Sequence, residues 1–347
     1  MYRSHTPIIR SLILAAMILS AGAAGAASGL HVTKQWPVGG TGGWDYLTLN
    51  AAGSRLFVSR GTRVDVIDTQ TGKITGSIAD TGGVHGVALD EAGNRGYTSN
   101  GRADSVTAFD LNTLKTLKEA PVSGHNPDAI VYDPASKHVF TFNGRSKDVS
   151  VLDAADLKVV ATLAVPDKPE FAVSDGEGQI FVNIESEMGQ MVVIDTHKLA
   201  VKATWPLPGC ASPSGLALDK THHRLFSVCD GKIMVVTDAL SGKQVAKVTI
   251  GEGPDAVAYD AKNSQVFSSN GEGTLTVVHQ ESADRYGTPE TIKTRRGART
   301  LAMDPASGQV YLVTADFGPA PAATAEQPHP RPVPVPDSFT VMVVGLH

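Results

Sequence analysis

Asp128-Ala129-Ile130-Val131-Tyr132-Asp133 decides how this chain folds, because the same pattern recurs along its whole length. A polar residue opens the stretch, apolar and small residues alternate through it, and Asp or Asn closes it. Copies begin at Asp45, His85, Asp128, Glu170, Ser214, Asp255 and Arg299, at spacings of 40, 43, 42, 44, 41 and 44 residues. A period of roughly forty residues built from short strands is the signature of a four-stranded propeller blade, which buries its faces only against neighbouring blades. Seven copies predict an all-β, seven-bladed β-propeller.

The third unit shows the parse. Residues 128–132 form an inner strand, and Asp133-Pro134-Ala135-Ser136-Lys137 turns it. Val139 to Asn143 returns as a second strand, Val149 to Asp153 is a third, and Val159 to Val165 is the outer one. Alternation of apolar and polar residues supports a strand in each place. The last unit offers strands near 300–303 and 309–315 and resumes with Ser338 to Val344, after which no fourth strand follows. His31 to Val38, ahead of the first unit, matches an outer strand. The N-terminal strand is therefore expected to pair with the C-terminal one, completing the last blade and removing an exposed edge.

Residues 1–26 read as a secretory signal peptide and 27–347 as the propeller. Arg3 and Arg10 precede a short apolar run from Leu12 to Leu19, and Ala24-Gly25-Ala26 offers the small residues required for cleavage near Ala26. There is no twin arginine, nor a cysteine at the cleavage region. Beyond residue 30 no apolar run is long enough for a membrane span. The reading is a periplasmic or secreted, soluble monomer. Cleavage leaves 28 basic and 35 acidic side chains, a formal charge of −7, which disfavours nucleic acid as a partner. The two cysteines, Cys210 and Cys229, fall on one mouth of one blade and are a disulfide candidate in an oxidising compartment.

Tyr97-Thr98-Ser99-Asn100, Phe140-Thr141-Phe142-Asn143 and Phe267-Ser268-Ser269-Asn270 are variants of a Tyr-Val-Thr-Asn motif, and segments such as Val149 to Asp153 and Val192 to Asp195 follow in step. On these residues the chain resembles the YVTN-repeat, YncE-like propellers of the bacterial periplasm, over nearly all of 31–345. The resemblance implies the fold. It leaves activity open, because the scaffold carries binding proteins, lactonases and lyases alike.

The starts of the inner strands and the ends of the second strands belong to the same mouth of the central channel. The first ring is Asp45, His85, Asp128, Glu170, Ser214, Asp255 and Arg299. The second is Arg60, Asn100, Asn143, Asn183, Asp230, Asn270 and Asp316, with Glu185 and Glu187 just beyond. The repeat keeps its strand interiors alike and leaves the first ring dissimilar, which points to a specialised ligand-binding site against the plainer reading of solvated loop starts. Four carboxylates around one axis demand a proton or a cation. Asp45, Asp128, Glu170 and Asp255 are candidate ligands for a divalent metal such as Ca²⁺ or Mg²⁺, and less for a transition metal. His85, beside Asp45 or Asp128, is a candidate general base. His125 is expected in a solvated turn and His222-His223 on the opposite mouth. Lys293, Arg295, Arg296 and Arg299 form a basic cluster that reads as a solvated outer strand in preference to a phosphate contact. A Pro-rich insertion, 317–337, should emerge at the same mouth, extended or disordered and not packed.

Two functions follow from this reading. One is a binding propeller that takes a small ligand, a metal or a partner protein at the mouth. The alternative is a metal-dependent lactonase or lyase working at the same place.

Overall fold

The computed structural model describes residues 1–2, 28–322, 324, 330 and 332–346. The proposed signal segment lies outside them, apart from its first two residues. Seven antiparallel sheets form a seven-bladed β-propeller, with no helix among the described residues, and hence none long and apolar enough to cross a membrane. Blade three comprises Pro127–Asp133, His138–Asn143, Asp148–Asp153 and Val159–Ala164, within a residue or two of the expected strands. Blade seven is completed as the termini imply. His31–Pro37 pairs antiparallel with Thr340–Gly345, which continues to Val310–Thr314 and Leu301–Met303.

Blade six departs from the pattern. Its third strand runs on to Ser282, forms a short ribbon with Arg285–Tyr286, and only then meets the outer strand Glu290–Lys293. The extension brings the Tyr286 ring edge-on to Phe226 of blade five. That contact supplies the physical reason for the extra length.

One aromatic per blade holds the wedges together. Phe57, Tyr97, Phe140, Phe181, Phe226, Phe267 and Tyr311 occupy the same position of the seven second strands, and all are buried. Tyr97 stacks on Tyr132 of blade three, and Phe226 on Tyr259 of blade six. Burying one such side chain stabilises by about 2–3 kcal/mol, so seven of them form a large share of the inter-blade adhesion.

The asparagine that closes the motif has a separate task. Asn100 Nδ2 donates to Ser105 Oγ and Thr107 Oγ1 at 3.1 and 2.9 Å. Asn143 Nδ2 reaches Asp148 and Ser150, and Asn270 Nδ2 reaches Thr274 and Thr276. Each Oδ1 accepts from a Thr or Ser two residues earlier. These side chains are fully buried and clamp the second strand to the third. Asn100, Asn143 and Asn270, expected among the ligand-binding residues, bond through their side chains within the blade.

Cys210 and Cys229 form the expected disulfide, with Cα atoms 5.2 Å apart. It ties the loop entering blade five to the end of that blade's second strand.

Candidate functional site

Inner strands begin irregularly, and this places the first ring. In blades two, three, four and six the register between inner and second strand slips at His85-Gly86, Asp128-Ala129, Glu170-Phe171 and Asp255. In blades one, five and seven the ladder starts only at Leu47, Leu216 and Leu301, after the ring residue. No ring side chain is therefore fixed by regular pleating, and a bulge re-aims the chain locally. Freed backbone groups find partners in neighbouring positions. Gly86 N donates to Ser99 Oγ at 2.9 Å, and Ser99 Oγ donates to Asp128 O in the next blade. Ser269 Oγ donates to Arg299 O, and Asn183 Nδ2 to Ser214 O and Gly215 O. These latches run from blade to blade and hold the ring.

Three residues converge most tightly. His85 Nδ1 donates to Asp45 Oδ2 at 2.6 Å and lies 3.6 Å from Asp128 Oδ1. One ligand atom from each of Asp45, His85 and Asp128 lies within 4.8 Å of the others. Glu170 joins through Lys168, whose Nζ is 2.8 Å from Glu170 Oε2 and also bonds Glu185. Asp255 pairs with Arg299 at 3.2 Å. Below them Tyr46 of blade one and Phe171 of blade four meet edge-on, ring centres 5.2 Å apart. Only about 50 Å³ remains between the blades there. The mouth is thus a bowl above an aromatic plug.

Negative charge dominates the bowl. Burial raises Glu170 to about 8, helped by the nearby Asp128 and opposed by Lys168. Burial raises Asp255 to about 6 despite Arg299. Asp128 is raised by burial and by Asp45, against the pull of His85. Burial alone would lower His85, but its bond to Asp45 and the charge of Asp128 raise it above the ordinary imidazole value. At the far end of the same inner strand the chemistry reverses. Burial would raise Asp133 too, yet hydrogen bonds from Ser136 and Ser174 hold it low. A carboxylate surrounded by donors stays ionised and closes a turn; one crowded by carboxylates is driven toward its protonated form unless a cation relieves it.

The structure places other candidates elsewhere. Arg60 does not face the bowl. Its side chain is fully buried, stacked 3.7 Å over Phe339, and donates to Gly39 O and Thr41 O. It ties down the glycine-rich loop that carries Trp44 and Asp45, and burial lowers its pKa to about 10. Ser214 Oγ is spent on Pro254 O of blade six. His125 is exposed and paired with Asp104 at 2.8 Å; His222 pairs with Asp219 at an inner-to-second-strand turn. Arg295 bonds Asp316.

The sequence reading passed over Lys168. Two positions before the ring residue, the other six units carry Gly43, Gly83, Asn126, Ser212, Gly253 and Gly297, and the lysine among them was the available signal. The stems of the Pro-rich insertion also differ from expectation. Gly318 N bonds Val333 O, Val335 N bonds Asp316 O, and Phe317 packs on Trp44. An apolar anchor on a tryptophan overrides the tendency of the segment to stay solvated.

Two clefts open from Asp45. One, about 600 Å³, is bordered by Trp44, Phe317, Pro332 and Pro334 on one side and Arg296 and Arg299 on the other. The second, about 400 Å³, lies beside His85.

The pH dependence of stability follows from these shifts. Glu170 and Asp255 hold a proton more tightly folded than unfolded, so the fold loses stability as pH rises from the ordinary carboxyl range through about 6 for Asp255 and about 8 for Glu170. His85 acts in the same sense, its contribution being lost as pH rises through its elevated folded value. Turn aspartates such as Asp133 act oppositely, and their contribution is lost in acid. Thermal unfolding should therefore occur at the highest temperature on the acid side of neutrality. Glu170→Gln should flatten the decline between about pH 5 and pH 8. A wild-type Tm that climbs steadily over that interval contradicts this electrostatic account.

No protein-family model matches this sequence, and no curated protein matches it. Solved structures do. A chain of hydrazine synthase from Kuenenia stuttgartiensis superposes with a TM-score of 0.68 at 17% identity, covering 90% of this chain and 99% of that one. A chain from the crystal structure of the mitotic checkpoint complex gives 0.73 at 12% identity, covering 98% and 99%. At such identities the likeness is one of fold: a seven-bladed propeller.

Proposed function

We propose that the chain is an exported, YncE-like YVTN-repeat propeller of the periplasm that binds a small ligand or partner segment at the channel mouth, with a divalent cation held by Asp45, His85 and Asp128. The convergence of those three ligand atoms within 4.8 Å carries the reading. Two carboxylates and an imidazole form a mixed oxygen and nitrogen set, which favours a transition metal over Ca²⁺ or Mg²⁺. Glu170 and Asp255 add negative potential that a cation relieves. The disulfide supports an oxidising compartment. The clamp and wedge made by Tyr97 and Asn100 give the motif a structural meaning that supports the family resemblance.

Calorimetric titration of chelator-stripped protein with Zn²⁺, Mn²⁺ and Ca²⁺ tests the cation. One site is expected, weakened in Asp128→Asn by at least the roughly tenfold that loss of even an outer partner costs. Failure of all three ions to bind, or an unchanged affinity in the variant, removes the cation from the reading. Export is checked by mass spectrometry of the chain recovered from the periplasm, with a mature start close to Ala27. Recovery only from the cytosol, with residues 1–26 retained, refutes it.

The pairing of Asp45 with His85 favours a second reading, a metal-dependent lactonase or lyase with His85 as base. Asp45 engages Nδ1, and Nε2 looks onto the cleft beside Gly101. Gly101 lies outside the left-handed region, so Ala fits its backbone, but a Cβ there would strike Nε2 at 2.6 Å. In a lactone-hydrolysis screen both His85→Ala and Gly101→Ala should abolish turnover while leaving the protein folded. Absence of turnover, or a Gly101→Ala variant as active as wild type, excludes this reading.

A further inference from the structure

The cleft on the Nε2 side of His85 adds arginines to the acidic mouth. It measures about 400 Å³, and Gly43, Gly61, Gly83 and Gly101 line it without side chains. Arg102 and Arg145 stand on its border, both exposed. Four other arginines at this mouth are matched to acids, Arg60 and Arg63 to Asp65, Arg295 to Asp316 and Arg299 to Asp255, while Arg296 borders the neighbouring cleft. Among the described residues no carboxylate lies within ion-pair distance of Arg102 or Arg145. Asp45 and Asp104 share the cleft, and Asp104, held low chiefly by its bond from Asn126, also feels the charge of Arg145. Asp104 Oδ2 accepts from His125 Nδ1 at 2.8 Å and Oδ1 from Asn126 N at 2.7 Å.

The backbone beneath the two arginines is fixed. Arg102 N donates to Gly82 O and Arg145 N to His125 O, both at 3.2 Å. Two guanidinium groups outside ion-pair distance of any described acid, set on anchored turns around an open space, suit a planar or tetrahedral oxyanion. The His85 ring stands between this space and Asp128, with Nδ1 toward Asp45 and Nε2 toward the cleft, and Asp45 borders both.

We propose that this cleft is an oxyanion subsite in which Arg102 and Arg145 receive a carboxylate or phosphoryl group of the ligand. It goes beyond the cation site, with which it shares only Asp45 and His85 as a dividing wall. A ligand spanning both presents an anionic end to the arginines and an electron-rich group to a cation on the other side of the imidazole.

Inorganic phosphate and malonate serve as probes, titrated calorimetrically at low ionic strength into wild type, Arg102→Ala/Arg145→Ala and Asp128→Asn. Both arginines are exposed, so the double variant should fold, as circular dichroism will verify. At least one anion should bind wild type, weaken about tenfold or more in the double variant, and bind Asp128→Asn no less tightly than wild type. Phosphate alone identifies the group as phosphoryl; malonate alone identifies it as carboxylate. If neither anion binds, or the double variant binds as wild type does, the subsite is refuted. Zn²⁺ titration of the double variant separates the two sites. Intact metal binding with lost anion binding supports this subsite, whereas anion binding in a protein that takes no metal sinks the cation site alone.

Discussion

Antiparallel pairing of His31–Pro37 with Thr340–Gly345 is the contact on which the molecule depends. Each blade buries its faces only against its neighbours, so a ring left open would expose an apolar sheet face and a strand edge together. Closure also brings seven inner strands to one axis. Without that convergence Asp45, His85 and Asp128 would be three ordinary loop residues on three separate sheets. The latches from Ser99 to Asp128 O, Ser269 to Arg299 O and Ser214 to Pro254 O then set the rotation of one blade against the next.

The repeat and the site use different parts of the same strand. Aromatic wedges and buried asparagines lie in the regular ladder, where every blade must do the same thing. The ring residues lie at bulges or ahead of the ladder, where sheet pairing does not dictate the side chain. Dissimilar residues at those positions cost the fold little in pairing. They do cost it in electrostatics, since like charges crowd a bowl largely withdrawn from water. Lys168, Arg299 and His85 offset part of that repulsion, and the elevated Glu170 and Asp255 register the remainder. The imbalance is confined to one end of the channel, since Asp133 at the other end is satisfied by Ser136 and Ser174.

Sequence periodicity made the fold legible because a blade is a local object. Spacing gives its length, alternation gives its strands, and two incomplete ends give the closure. The ring at 45, 85, 128, 170, 214, 255 and 299 was legible for the same reason. What escaped was decided by side-chain reach. Arg60 sits where topology permits a ligand contact, yet its guanidinium turns onto Phe339, a residue 279 positions away. Asn100 ends its strand at the mouth but points into the blade, toward Ser105 and Thr107. Lys168 reaches past its own ring position to couple Glu170 with Glu185. None of these directions is encoded in repeat spacing, although the lysine at a position otherwise held by Gly, Asn or Ser was a visible departure.

Arg60 also shows that closure and site geometry are one event. Its guanidinium rests on Phe339, immediately before the closing strand, and holds Gly39 O and Thr41 O, just after the N-terminal strand. A desolvated cation–π contact of this kind contributes about 2 kcal/mol. Trp44 packs at a tilt against the same Phe339, ring centres 5.3 Å apart, and is followed directly by Asp45. The acid that engages His85 is therefore positioned by the C-terminal blade as much as by its own. Bringing the two chain ends together places Phe339, Phe339 seats Arg60 and Trp44, and these set Asp45 against His85. The most asymmetric feature of the ring lies next to the seam, the one place where covalent repetition gives way to pairing between distant segments.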